Sequence, residues 1–228
     1  MNYRIGFTLA EVLITLGIIG IVASMTLPSI TANYQNKHRS AAIKKFYSSI
    51  QQALLLSEID NGPMEYWEKN AGDIHNEDGE YDHTNNSKSS EAFFNKYLKN
   101  YFKYIKAGTK TLNPNERLDF KIWLADGSTV YMHNGSCNDF ILDVNGDKRP
   151  NKHGYDRFTF LLCSGNNIAD ATTKIMCGTK KFCAFNDNIS IYNTREKILT
   201  LCKTSPQNCT YLLQLDNWEF KKDYPFKL

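Results

Sequence analysis

Apolar residues fill the chain from Phe7 to Leu27, interrupted by glycines, small hydroxyl residues and one acid, Glu11. At about 1.5 Å per helical residue the run reaches roughly 30 Å, the depth of a bilayer core. Beyond it, hydrophobic positions recur at Ile43, Phe46, Tyr47, Ile50, Ala53 and Leu54, the spacing of one helix face. Lys37, Arg39, Lys44 and Lys45 fall to the other side. Pro28 stands between the two patterns; its missing N–H interrupts the hydrogen-bond ladder, and because helical patterning resumes at once it predicts a kink and not an end. Asn61-Gly62-Pro63 is the stop signal. The result is one helix of about fifty residues, membrane-spanning in its first part and amphipathic in its second. Its lower stripe requires a sheet to cover it.

Glu68 to Ser90 is polar and reads as an exposed loop. It holds His75, Asp78, Asp82 and His83, a mixture more often found on a solvated surface than around a metal. Glu91 to Lys106 places Phe93, Phe94, Tyr97, Leu98, Tyr101, Phe102 and Ile105 at helical spacing after a cap at Ser89 or Ser90. With no basic stripe beside it, this aromatic face predicts core and not a platform for bases. Leu118–Ala125 and Thr129–His133 alternate around Asp126-Gly127-Ser128, the signature of a hairpin. Phe140–Val144 and Arg157–Cys163 supply two more strands. An antiparallel sheet of about four strands under the long helix makes an α+β domain. Ser164 to Thr210 predicts irregular structure held by disulfides, and Trp218 and Phe220 near the end predict core.

Composition narrows the setting. The 228 residues, 42% apolar, accommodate one membrane helix and one globular domain, and a net charge of +3 without a basic block indicates no nucleic-acid partner. All six cysteines lie in the second half. An even count in an exported domain reads as disulfides, with fifteen pairings open. Cys177 with Cys183 and Cys202 with Cys209 are natural short loops, which leaves Cys137 with Cys163. No C-x-x-C pair favours zinc. The domain therefore faces an oxidising space.

The N-terminus carries more than hydrophobicity. Gly6-Phe7-Thr8-Leu9, with Glu11 four residues beyond Phe7, resembles the signal of type IV prepilins and type II secretion pseudopilins. The resemblance implies a pilin-like fold and a prepilin peptidase that cuts after Gly6 and methylates the new amine of Phe7. Residues 1–6 are then a leader, 7–28 a transmembrane and assembly helix, 29–62 its amphipathic continuation, and 63–228 an exported domain. A carboxylate in an apolar helix costs about 2.5 to 3.5 kcal/mol near the bilayer centre and calls for a partner. Before cleavage Arg4 is the nearby cation; afterwards it is the Phe7 amine, and a neighbouring subunit's amine is the easier reach. Glu11 of one subunit would thus neutralise Phe7 of the next. A secretory signal cut near Val22-Ala23-Ser24 and an uncleaved anchor are the rival readings, but neither has a use for the acid.

The most chemical loop runs from Asp143 to Asp156. Oxygen side chains stand at its positions one, three, five and nine, namely Asp143, Asn145, Asp147 and Asn151. The stretch is similar to dockerin and EF-hand loops up to that point. Gly154 takes the place of the bidentate acid at position twelve, and Asp156 follows two residues later. The same stretch resembles a loop of prepilin-like proteins, and the likeness to pseudopilins that carry distal calcium implies a structural calcium held by Asp143, Asn145, Asp147, Asn151 and Asp156. A turn network of side-chain to backbone bonds is the alternative.

No nucleophile motif, phosphate loop or framed pair of catalytic carboxylates is evident, so the sequence predicts no enzyme. It predicts a structural subunit, pilin or pseudopilin, polymerised through its N-terminal helix into a type IV pilus or type II secretion filament. Its partners are then itself, other pilin-like subunits, prepilin peptidase, an inner-membrane assembly platform and, before assembly, membrane lipid. The address is a single pass through the inner membrane with the soluble domain outside the cytoplasm, and a filament in the periplasm or at the cell surface. The alternative is a membrane-anchored binding or sensor domain that never polymerises.

Overall fold

The computed structural model describes residues 6–109, 120–163 and 175–226. Arg4 lies outside them. Helix α1 (Leu9–Asn61) is 53 residues long and runs on through residue 28. It starts at Thr8, whose side chain accepts the Glu11 N–H while Glu11 returns a bond to the Thr8 N–H, a reciprocal capping box. It stops at Gly62, whose φ of 76° side chains rarely adopt.

A short 3-10 turn (Met64–Tyr66) leads to α2 (His83–Tyr97). The sequence pattern placed this helix at 91–106. It begins earlier because Asp82 caps it, accepting the Asn85 N–H at 2.9 Å, and because its first turns bury polar groups that each find a partner. Asn86 bonds both the N–H and the carbonyl of Ile74, and Ser90 accepts the Asn134 N–H. A hydrophobic pattern cannot register a helix face built on hydrogen bonds. Leu98 and Phe102 remain buried beyond the helix end, whereas Ile105 is exposed.

The strands are β1 (Lys106–Thr109), β2 (Phe120–Trp123), β3 (Thr129–Asn134), β4 (Asn138–Asp143), β5 (Arg157–Leu162) and β6 (Phe182–Ala184). They form a six-stranded antiparallel meander in sequence order. The four expected strands are its centre, and the short edges β1 and β6 are additions that periodicity over three or four residues does not reveal. Residues 175–226 also correct the expectation of irregular structure up to Thr210, because α3 (Arg195–Thr204) and α4 (Cys209–Leu215) lie there beside β6. Tertiary contact, not an apolar stripe, sustains α3, which buries only Ile198 and Cys202.

Phe120, Ile122, Val130, Met132, Phe140, Leu142, Phe158 and Phe160 share one buried face of the sheet. Onto it α1 lays Ile43, Phe46, Ile50, Ala53 and Leu54, all buried. Phe160 is the hub, with its ring 5.2 Å from Phe46, 5.9 Å from Tyr47, 5.8 Å from Phe182 and 5.8 Å from Trp218. Three disulfides, Cys137–Cys163, Cys177–Cys183 and Cys202–Cys209, are the expected pairs. They staple the region after β3. Trp218 is core as expected, and Phe220 is partly covered.

Candidate functional site

Two regions carry chemistry, the head of α1 and the loop between β4 and β5. The large apolar side chains of α1 from Leu9 to Leu27, and Ile30 beyond them, stand uncovered; Leu13 and Ile19 are each 62% exposed, and Phe7, just ahead of the helix, is 89% exposed. An 18-residue window of α1 has a mean hydropathy of 2.0, and the helix is long and apolar enough to cross a membrane. Four of its hydroxyls turn back on the helix: Thr15, Ser24, Thr26 and Thr31 each donate to a carbonyl one turn back. In hydrocarbon that arrangement gives each of these four donors an acceptor.

Glu11 has a local partner that the sequence reading did not assign. Its Oε2 accepts the Thr8 N–H and the Thr8 hydroxyl, both at 2.8 Å. The signal was legible, since Thr-x-x-Glu ahead of an apolar run is a capping box. Gly6 and Phe7 lie outside the helix, directly before the Thr8 cap.

The loop from Asp143 to Asp156 is pinned from three sides. Arg39, which the helical pattern assigned to the solvent face of α1, is 2% exposed. Its guanidinium lies 4.1 Å from the centre of the Phe220 ring and donates to the Tyr155 carbonyl and to Asn36. That stacking and those bonds explain why a cation sits buried. Tyr224 Oη donates to the Gly154 carbonyl at 2.6 Å, and the Tyr155 ring lies 4.8 Å from Phe226. Gly154 has φ 79°, and a Cβ there would come within 2.6 Å of the Phe226 ring. An acid at this twelfth loop position has no room. Gly146 is equally constrained: at φ 70°, a Cβ would sit 2.7 Å from the Gly127 carbonyl oxygen.

Inside the loop, Asp143 and Asp156 are both fully buried. Asp156 holds the chain together by accepting the N–H groups of Asn151 at 2.8 Å and Lys152 at 2.7 Å, and the Asn145 amide at 3.2 Å. Asp143 accepts from Arg157 Nε at 3.0 Å. Burial, with the Asp156 charge added, outweighs that bond and pushes the Asp143 carboxyl up to about 6. Burial, followed by the Arg157 charge, pulls His153 down to about 4. Asp147, the third acid of the expected set, instead reaches the buried amine of Lys121 on β2.

The four residues of the polar 68–90 stretch do not converge. Asp82 caps α2 and His83 packs edge-on against Tyr81 at 4.8 Å. Among the described residues no three His, Cys, Asp or Glu side chains gather as metal ligands anywhere.

Two family models divide the chain at its proline. Residues 1–27 match the prokaryotic N-terminal methylation motif, and residues 29–228 match a family of unknown function, DUF6613. The chain belongs to DUF6613. The methylation motif places its N-terminus with the type IV pilin-like prepilins and pseudopilins, and with the apolar head of α1 it fits a single-pass, membrane-anchored protein. No curated protein and no solved structure matches this DUF6613 chain. In DUF6613 terms, the matched region begins where α1 leaves its apolar stretch and includes the whole sheet.

Proposed function

We propose that this DUF6613 chain is a structural subunit that is cut after Gly6, N-methylated at Phe7, and polymerised through α1 into a filament of the type IV pilus or type II secretion kind. The observation that carries the reading is the uncovered apolar length of α1 standing clear of the domain, headed by the Thr8–Glu11 box. Lipid covers such a helix before assembly, and the helices of other subunits cover it afterwards. The peptidase and an inner-membrane assembly platform are the partners this route requires, with the disulfide-bearing domain on the oxidising side.

Within the filament, Glu11 passes from the Thr8 cap of its own helix to the Phe7 amine of a neighbour. Glu11→Gln separates these roles, because glutamine also completes a capping box yet brings no charge. The mature N-terminus, read by mass spectrometry, is expected to be N-methylated Phe7; an intact Met1 would refute the processing. Sheared envelope fractions are expected to contain polymer for the wild type and at least tenfold less for Glu11→Gln. Equal yields would refute the charge pair, and wild-type polymer absent from every fraction would refute the filament.

A further inference from the structure

Between Glu11 and Glu58 the chain contains no acid, yet Lys37, Arg39, Lys44 and Lys45 fall there, just beyond the apolar head of α1. Lys and Arg ordinarily gather on the cytoplasmic side of a span, so cations at its exported end call for a role of their own. The fold adds more of them. Arg39, donating to the Tyr155 carbonyl and stacking on Phe220, sets the β4–β5 loop and the C-terminal segment level with this part of α1. Lys148, Arg149 and Lys152 of the loop and Lys221 and Lys222 of the segment are exposed. The acids at this end are already engaged. Asp126 meets Lys45, Asp147 meets Lys121, Asp223 meets Arg195, Asp216 meets Arg195 and Lys221, and Glu219 lies 3.8 Å from Lys44. Among the described residues Lys37, Lys148, Arg149, Lys152 and Lys222 have no ion-pair partner.

Height along α1 decides what this basic collar meets. Lys37 follows Leu27 by ten residues, about 15 Å of helix. It stands three residues past Tyr34, which is 70% exposed and of the kind that marks the headgroup level. The polar layer of a leaflet is about 5–8 Å deep, and its field extends a further Debye length of about 8 Å. Side chains on a helix lean toward its N-terminus, here toward the bilayer, and the long lysine stem carries the amine lower still. We propose that the collar binds the anionic phospholipid headgroups of the leaflet from which α1 emerges, holding the base of the domain against the membrane before assembly. Each cation contributes roughly a fivefold preference for an anionic over a neutral surface. The inference rests on α1 spanning the bilayer with its domain on the far side of the cytoplasm, as proposed above.

The test is lysine footprinting of the full-length oxidised chain in nanodiscs of phosphatidylcholine, alone or with about one third phosphatidylglycerol, acetylation at each lysine being read by mass spectrometry. In the anionic discs Lys37, Lys148, Lys152 and Lys222 should be labelled at least threefold more slowly. Lys99 and Lys180 should be unchanged, since Tyr101 bonded to Asp60 and Lys181 bonded to Glu58 place them at the other end of the domain. About 1 M salt, which shortens the Debye length to about 3 Å, should abolish the protection. In the triple variant Lys148→Gln, Arg149→Gln, Lys152→Gln, half-protection of Lys37 should need several-fold more phosphatidylglycerol, whereas Lys99→Gln should change nothing; if the triple variant does not fold, the wild-type labelling decides. Equal labelling in the two discs would overturn the collar and leave the span intact. Protection in neutral discs by inorganic phosphate or a DNA duplex, with none from phosphatidylglycerol, would overturn the lipid as its ligand. A chain that inserts into neither disc would refute the span, and the collar with it.

Discussion

Phe160→Ala tests the claim that the lower half of α1 is held to the sheet through a single aromatic hub. The ring is fully buried and has Phe46, Tyr47, Phe182 and Trp218 around it, so the cavity left by alanine opens against α1, β6 and the C-terminal segment at once. Loss of a buried phenylalanine costs about 3–5 kcal/mol, and aromatic pairs add about 0.5–1.5 kcal/mol each beyond the area they bury. The expected cost is therefore near the top of that range, about 4–5 kcal/mol, out of a stability on the order of 5–15 kcal/mol. For a domain of this size that corresponds to a fall in the melting midpoint of roughly 10–15 °C. Urea unfolding of the processed chain in detergent, followed by tryptophan fluorescence and by far-ultraviolet dichroism, measures it. A double-mutant cycle of Phe46→Leu with Phe160→Leu should return a coupling of about 1 kcal/mol, since the two rings touch across the helix–sheet seam. Leu13→Ala, on the uncovered head of α1, should leave domain unfolding within about 0.5 kcal/mol. A cost below about 1 kcal/mol for Phe160→Ala, or an equal cost for Leu13→Ala, would refute the division of α1 into a free head and a docked base.

Two further perturbations probe the attachment of α1. Arg39→Ala leaves the Tyr155 carbonyl without its donor and uncovers Phe220, and should cost about 2 kcal/mol with faster amide exchange around residues 150–156; Arg39→Lys should recover only part, because an ammonium cannot stack and fork together. Burial works to raise the Asp126 carboxyl, but bonds from Lys45 and Ser128 prevail and hold it below the usual carboxylate value. An acid with a depressed folded pKa contributes stability above its unfolded value, lost as pH falls through the folded one. Lys45→Met should therefore be less stable than wild type at pH 7, by about 0.5 kcal/mol for so exposed a pair, and the gap should close in acid below 3.8.

The division between what was legible in the chain and what was not follows the range of the interactions. A bilayer helix is declared by residues adjacent in sequence, so Phe7 to Leu27, the Gly6-Phe7 motif and the stripe Ile43 to Leu54 could be read directly, as could the hairpin at Asp126-Gly127 and the strands on either side. Loop lengths alone made the cysteine pairs the natural choice.

Tertiary structure decided what depends on partners far along the chain. Arg39 looked like solvent-facing charge until Phe220 and the Tyr155 carbonyl arrived from beyond the sheet to bury it. Asp147, exposed in its loop, is met by the buried amine of Lys121 only because β2 packs beneath it. The polar start of α2 is stable only because Ile74 and Asn134 complete its hydrogen bonds. Local pattern determined that the chain has a membrane-capable spine and a sheet to carry it. Desolvation, which is felt only after distant segments close over a side chain, decided which of its polar residues are surface and which hold the domain together.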